Sequence, residues 1–157
     1  MNRRIFVLFP LILFCVSLLL PALGVSGRSE YGYSVLATGW FQSYIAISAI
    51  ANWYSHDMLS SDNFWPSLLM IFPWLANIFI VSSLGFLASS KERLAAVFCI
   101  FALVCVIVFF INPVAMLGPD GMIVTVTPLF GAYLWALSTV VTLWLIVARR
   151  WSAKEHT

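Results

Sequence analysis

The residues best equipped for chemistry are few, and most lie apart from one another. His56, Asp57, Asp62 and Asp120 offer the imidazole and carboxylate groups that hold divalent cations. All four fall outside the long apolar runs, where solvated loop polarity explains them, so no metal site is assigned. Cys15, Cys99 and Cys105 fall inside those runs. Cys99 and Cys105 are six apart, about 240° around a helix, so they do not share a face as a redox or metal pair would. They read as small buried thiols rather than a disulfide framework. Asn77 follows Pro73 by four residues within an apolar run. An amide there either bridges helices or binds a neutral solute or ion.

Much of the usual machinery is missing. Apart from their ends, the apolar runs carry no Asp, Glu, Lys, Arg or His, whereas an ion-coupled transporter or intramembrane hydrolase normally shows at least one. The histidines, His56 and His156, are placed for no haem between helices. Walker-type, Cys-x-x-Cys and His-Glu-x-x-His patterns are absent. No catalytic residue and no cofactor is assigned, and an enzyme ranks behind the readings below.

The elements that must position these residues are set by hydropathy. The 157 residues are 62% hydrophobic and 9% charged, with a mean hydropathy of +1.01, against roughly 25% charged in an ordinary soluble domain. This is the composition of a single integral membrane domain over 1–157, with no basic tract for nucleic acid. Runs at 66–88 and 94–112 flank Ser89-Ser90-Lys91-Glu92-Arg93, and each is long enough to cross a bilayer. They predict a helical hairpin whose cationic turn stays cytoplasmic.

Orientation follows from that turn. Arg3 and Arg4 precede an apolar run over 5–23. Its length favours an uncleaved helix over a signal peptide, although Ala22-Leu23-Gly24 has the small residues of a cleavage site. The last run covers 128–148 and is followed by Arg149, Arg150 and Lys154. A further crossing at 34–54 would put two of the three basic sites outside. Four crossings place seven of the eight Lys and Arg inside, with only Arg28 outside. Both termini are then cytoplasmic.

The outer segment 24–65 therefore needs another account. At 100° per residue Ser34, Thr38, Gln42, Asn52 and His56 fall within about 80° of one another, which predicts an amphipathic helix over 34–54 that lies along the outer interface or tucks against the bundle. Nine aromatics lie between Gly24 and Trp65, including four of the five tyrosines. Such clustering marks an interfacial belt or a partner-binding surface, and Trp40, Tyr44 and Trp53 are the candidate contacts.

The crossings carry their own packing signals. Pro73 should kink the 66–88 helix and free a carbonyl one turn earlier. Asn77 should face the bundle. Ala95, Cys99, Ala102 and Val106 share a face that lets helices approach closely. Asn112-Pro113 ends the third crossing, and Pro119-Asp120-Gly121, between β-prone runs, predicts a small hairpin in the second outer loop. In the last crossing Gly131, Trp135, Ser138 and Thr142 fall within about 60° and form a small, polar packing face.

Four stretches together carry a resemblance: Leu20-Pro21-Ala22-Leu23, Gly39-Trp40, Trp74-Leu75-Ala76-Asn77 and Gly131-Ala132-Tyr133-Leu134-Trp135-Ala136-Leu137-Ser138. On these the chain resembles a group of small four-helix bacterial inner-membrane proteins. The resemblance implies a bacterial origin and a shared fold, and no activity. The loop plan is also similar to that of tetraspan proteins such as the claudins. The Gly-Leu-Trp and paired cysteines of claudin outer loops are absent here, so that likeness is architectural alone.

The expectation is an all-α membrane protein of the bacterial inner membrane: four transmembrane helices, an interfacial amphipathic helix and a small outer hairpin. Packing faces and an aromatic outer surface without catalytic groups point to protein–protein interaction. The partner would be a membrane protein or a second copy, with the chain an accessory subunit or an immunity-type protector. The alternative is an oligomeric small-solute transporter or lipid-handling protein using Pro73, Asn77 and the polar face of the last helix.

Overall fold

The computed structural model describes residues 3–25, 27–56, 61–117 and 122–154. Helix α1 spans Arg3–Leu19. It stops there because Leu20 precedes a proline and is pushed toward extended backbone. Pro21 then opens strand β1, Pro21–Val25, at the first strand position, where a missing N–H is tolerated. The helix expected over 5–23 is therefore shorter, and its last residues belong to a sheet.

Strand β1 turns through Gly27, whose φ of +81° suits glycine, into β2, Arg28–Tyr31. The two pair antiparallel from Val25↔Arg28 to Pro21↔Tyr31, with a bulge between Pro21 and Leu23. The other edge of β1 pairs with β5, Thr127–Pro128, near the far end of the chain. A three-stranded sheet in the order β2-β1-β5 results, an element absent from the sequence expectation.

Helix α2, Gly32–His56, contains the predicted 34–54 helix and runs unbroken for 25 residues, about 37 Å. Its two faces differ in side-chain size. Gly32, Ser43 and Ala46 are buried and Gly39 half-buried, whereas Tyr33, Trp40, Phe41, Tyr44 and Ile47 are exposed. Small residues, rather than the large apolar ones, meet the bundle, because only they let the α2 backbone come close to α1 and to Trp74.

The 66–88 crossing is two helices, α3 (Ser61–Leu69) and α4 (Ile71–Ala88), parted at Met70. Pro73 has no N–H to give the Leu69 carbonyl, and its ring crowds that carbonyl, so the break falls one turn before the proline. Helix α2 packs against both pieces.

After α4 the chain reverses through the charged turn. The Lys91 N–H donates to the Phe86 carbonyl at 2.9 Å and the Ser90 N–H to the Leu87 carbonyl at 3.2 Å. These are the two bonds of a Schellman cap, and Ser90 takes the left-handed position at φ 61°. Helix α5, Glu92–Ile111, follows, with Glu92 in its first turn, where the helix dipole favours an acid. Strands β3 (Val114–Leu117) and β4 (Met122–Thr125) form the expected hairpin, in register from Val114↔Thr125 to Leu117↔Met122. Its Pro119-Asp120-Gly121 turn lies outside the described residues. Helix α6, Phe130–Lys154, closes the order.

Among the described residues three helical stretches, Trp65–Ala88, Glu92–Ile111 and Phe130–Arg149, are long and apolar enough to cross a membrane, while Val7–Leu19 is apolar but shorter. These make the chain a membrane protein. The most extensive helix pairs are α4 with α5 and α1 with α6. Small side chains, Ala76, Ala95, Cys99 and Ala102, are buried beside the larger Ile80, Leu87 and Ile146, whereas Ile100, Val104, Ile107 and Trp144 point outward, as suits a lipid solvent. Hydrogen bonds add to the packing. The Ser83 hydroxyl donates to the Ala95 carbonyl at 2.8 Å, tying α4 to α5, and the Cys99 thiol to the Thr139 carbonyl at 3.4 Å, tying α5 to α6.

Candidate functional site

Five helices and two strands converge on one pocket of about 80 Å³. Ser17 and Leu18 come from the end of α1, Ala22 and Leu23 from β1, and Gly32, Val35, Leu36, Gly39 and Gln42 from the inner face of α2. Met70, Pro73, Trp74 and Asn77 come from the broken crossing, Phe109 from α5, Val114 and Ala115 from β3, and Gly131, Ala132 and Trp135 from α6. Among the described residues no ionisable side chain lines it.

The walls are fixed by close backbone contacts. A Cβ on Gly32 would sit 2.5 Å from the Ser17 carbonyl oxygen, and one on Gly131 would sit 2.9 Å from the carbonyl oxygens of Leu20 and Pro21 and 3.0 Å from that of Ser17. Two glycines thus hold the end of α1 between α2 and α6. A Cβ on Gly39 would meet the Trp74 ring at 3.2 Å. The Gly32 N–H reaches back to the Leu20 carbonyl at 3.0 Å, and the Leu129 N–H to the Ala22 carbonyl at 2.8 Å.

One polar pair crosses the wall. The Trp135 indole N–H donates to Oδ1 of Asn77 at 2.9 Å. The Asn77 amide nitrogen donates to the Pro73 carbonyl at 3.1 Å, a carbonyl within the first turn of α4. The two bonds define the amide's orientation, because the reverse would set two donors against each other at Trp135. The Trp135 ring also meets Phe109 edge-on, with centroids 6.0 Å apart.

The predicted site residues divide. Pro73, Asn77, Gly131 and Trp135 come together in this pocket. Ser138 is buried deeper along α6, where its hydroxyl donates to the Trp135 carbonyl at 2.7 Å. Trp40 and Tyr44 lie on the exposed face of α2, and Trp53 is in the same helix. His56 ends α2 and Asp62 lies in α3, while Asp57 and Asp120 lie outside the described residues. Among the described residues no group of three His, Cys, Asp or Glu could hold a metal ion.

Gly32, Gly39, Phe109 and the β1 residues are contributors that sequence reasoning missed. The two glycines carried a usable signal, since glycine within a helix costs stability and marks a close approach.

Compared with known proteins, the chain matches no family model, no curated protein and no solved structure. The site defines it no further than a small membrane protein with an apolar, uncharged pocket.

Proposed function

We propose that this is a bacterial inner-membrane protein that crosses the bilayer four times, with both termini cytoplasmic, and acts through protein–protein interaction as an accessory subunit or an immunity-type protector. Helix α1 serves as the fourth crossing. Its 17 residues span about 25 Å, and it packs along α6. Helix α2 lies at the outer interface.

The observation that carries the interaction reading is the outer face of α2. Tyr33, Trp40, Phe41, Tyr44 and Ile47 are each more than half exposed, while the small side chains of the same helix face inward. Large amphipathic rings set at the membrane boundary are the usual anchors of an interface. Their exposure leaves them available to a partner.

The test is affinity purification of the tagged chain from its native membrane in mild detergent, beside a Trp40→Ala/Tyr44→Ala/Trp53→Ala variant. A membrane protein recovered in stoichiometric amount with the wild type and lost with the variant is the expected result. Equal recovery by both would defeat the reading.

A further inference from the structure

We propose that the turn between α4 and α5 holds the headgroup of an anionic phospholipid, with Lys91 and Arg93 meeting its phosphate and an acyl chain lying along the exposed face of α5. The fold gathers positive charge at that end of the helices. A buried cluster packs Leu87 of α4, Ala95 of α5 and Ile146 of α6 together with Val7 of α1. Arg3 and Arg4 precede Val7 by about one helical turn, and Arg149 and Arg150 follow Ile146 by as much. The turn therefore sits among the cationic ends of α1 and α6. Among the described residues Glu92 is the one acid at this end, whereas Lys91 and Arg93 are both exposed. The turn is also preorganised. Lys91 is fixed on both sides, its N–H donating to the Phe86 carbonyl at 2.9 Å and its carbonyl accepting the Ala95 N–H at 3.0 Å. Cations carried on so short a turn lose little backbone freedom on binding. Lysine supplies a point charge and arginine a planar fork, and both suit a phosphate.

What lies beyond the turn selects a lipid over a free anion. Leu94, Val97, Phe101 and Val104 are exposed at intervals of three and four residues, which sets them in a stripe along one face of α5. The stripe begins one residue after Arg93. From Leu94 to Val104 it rises about 15 Å, half of a bilayer core of about 30 Å, which is the depth that the acyl chains of one leaflet reach. Helix α5 is long and apolar enough to cross a membrane, so this stripe meets acyl chains, and the cations at its base favour those whose headgroup is anionic. The inference uses the crossing but not which side of the membrane the turn faces. It is independent of the partner reading, which uses α2.

The full chain is reconstituted in phosphatidylcholine vesicles with a trace of phosphatidylglycerol spin-labelled on its acyl chain or, separately, of phosphatidylcholine labelled in the same way. Electron spin resonance reads the fraction of label that the protein immobilises. Wild type should hold the phosphatidylglycerol severalfold more strongly. One cation near an anionic headgroup changes binding by roughly fivefold, so Lys91→Gln/Arg93→Gln should lose most of that preference, and Lys91→Arg/Arg93→Lys should keep it. Equal immobilisation of the two lipids by wild type overturns the proposal, and so does a preference that the glutamine variant retains in full. Inorganic phosphate on both sides of the membrane, at constant ionic strength, should leave the preference in place. Its loss would mark the turn as a site for free phosphate and overturn the lipid assignment. The wild-type comparison decides even if a variant does not fold, and it contains no partner, so its failure is separable from failure of the partner reading.

Discussion

Trp135 and Asn77 join α6 to the kinked α4 through a single hydrogen bond of 2.9 Å between indole and amide. The indole is 9% exposed, so its N–H has little access to any other acceptor. Asn77→Leu should therefore destabilise the protein by about 1–3 kcal/mol. Trp135→Phe should add little once Asn77 is gone, giving a coupling energy on the order of 1 kcal/mol. Unfolding in mixed detergent micelles across the four-member cycle measures it, and strict additivity would show that the bond contributes nothing.

The glycines should separate by sign. Gly32→Ala and Gly131→Ala each force a methyl group against backbone carbonyls and should cost about 1–3 kcal/mol. Nothing lies within 4 Å of a Cβ on Gly85, within helix α4, so Gly85→Ala should stabilise by about 0.5–1 kcal/mol. Thermal melts of the three variants in one detergent provide the comparison.

Ser90 occupies the left-handed position of the Schellman cap. Ser90→Gly relieves a cost of about 1–2 kcal/mol, partly offset by a more flexible unfolded chain, and should raise stability by a few tenths to about 1 kcal/mol. Ser90→Val should lower it, since a β-branched side chain fits that conformation poorly. The order Gly above Ser above Val in melting temperature is the expected readout.

The three thiols should differ in reactivity. Cys15 is exposed, whereas Cys99 and Cys105 are buried. A membrane-permeant maleimide should add one mass increment to the folded protein in micelles, removed by Cys15→Ala, and three increments after denaturation.

The proposed topology can be probed by the same chemistry. In a cysteine-free background, His56→Cys and Asp120→Cys should react with an impermeant reagent from one side of the membrane, and Lys91→Cys from the other. Labelling of all three from one side would exclude four crossings.

Much of the helical frame was legible because length and hydropathy are local properties. The predicted 94–112 crossing is α5, Glu92–Ile111, and Asn112-Pro113 ends it as expected. The effect of Pro73 was legible for the same reason, since the carbonyl a proline deprives lies at a fixed distance along the chain. The pairing of β1 with β5 was not. Two residues, Thr127 and Pro128, make up β5, too few to show any periodicity, and their partners lie near the other end of the chain. Which face of α2 meets the bundle was not legible, because the polar stripe from Ser34 to His56 is the stronger pattern and hides Gly32, Gly39, Ser43 and Ala46. Close packing selects for small volume, and small residues carry little weight on a polarity scale. Within the site, Asn77 and Trp135 were both singled out, but their contact depends on how α4 and α6 are set side by side, which no single segment encodes.

The union of Leu23 with Pro128 also bears on biosynthesis. A growing chain emerges amino terminus first, so α1 and β1 are made long before β5 and α6 exist to receive them. Until the final helix is inserted, one edge of β1 has no strand to meet and α1 lacks its principal neighbour. The fold fastens like a clasp whose second half is forged last, and a ribosome stalled before residue 127 would leave it open.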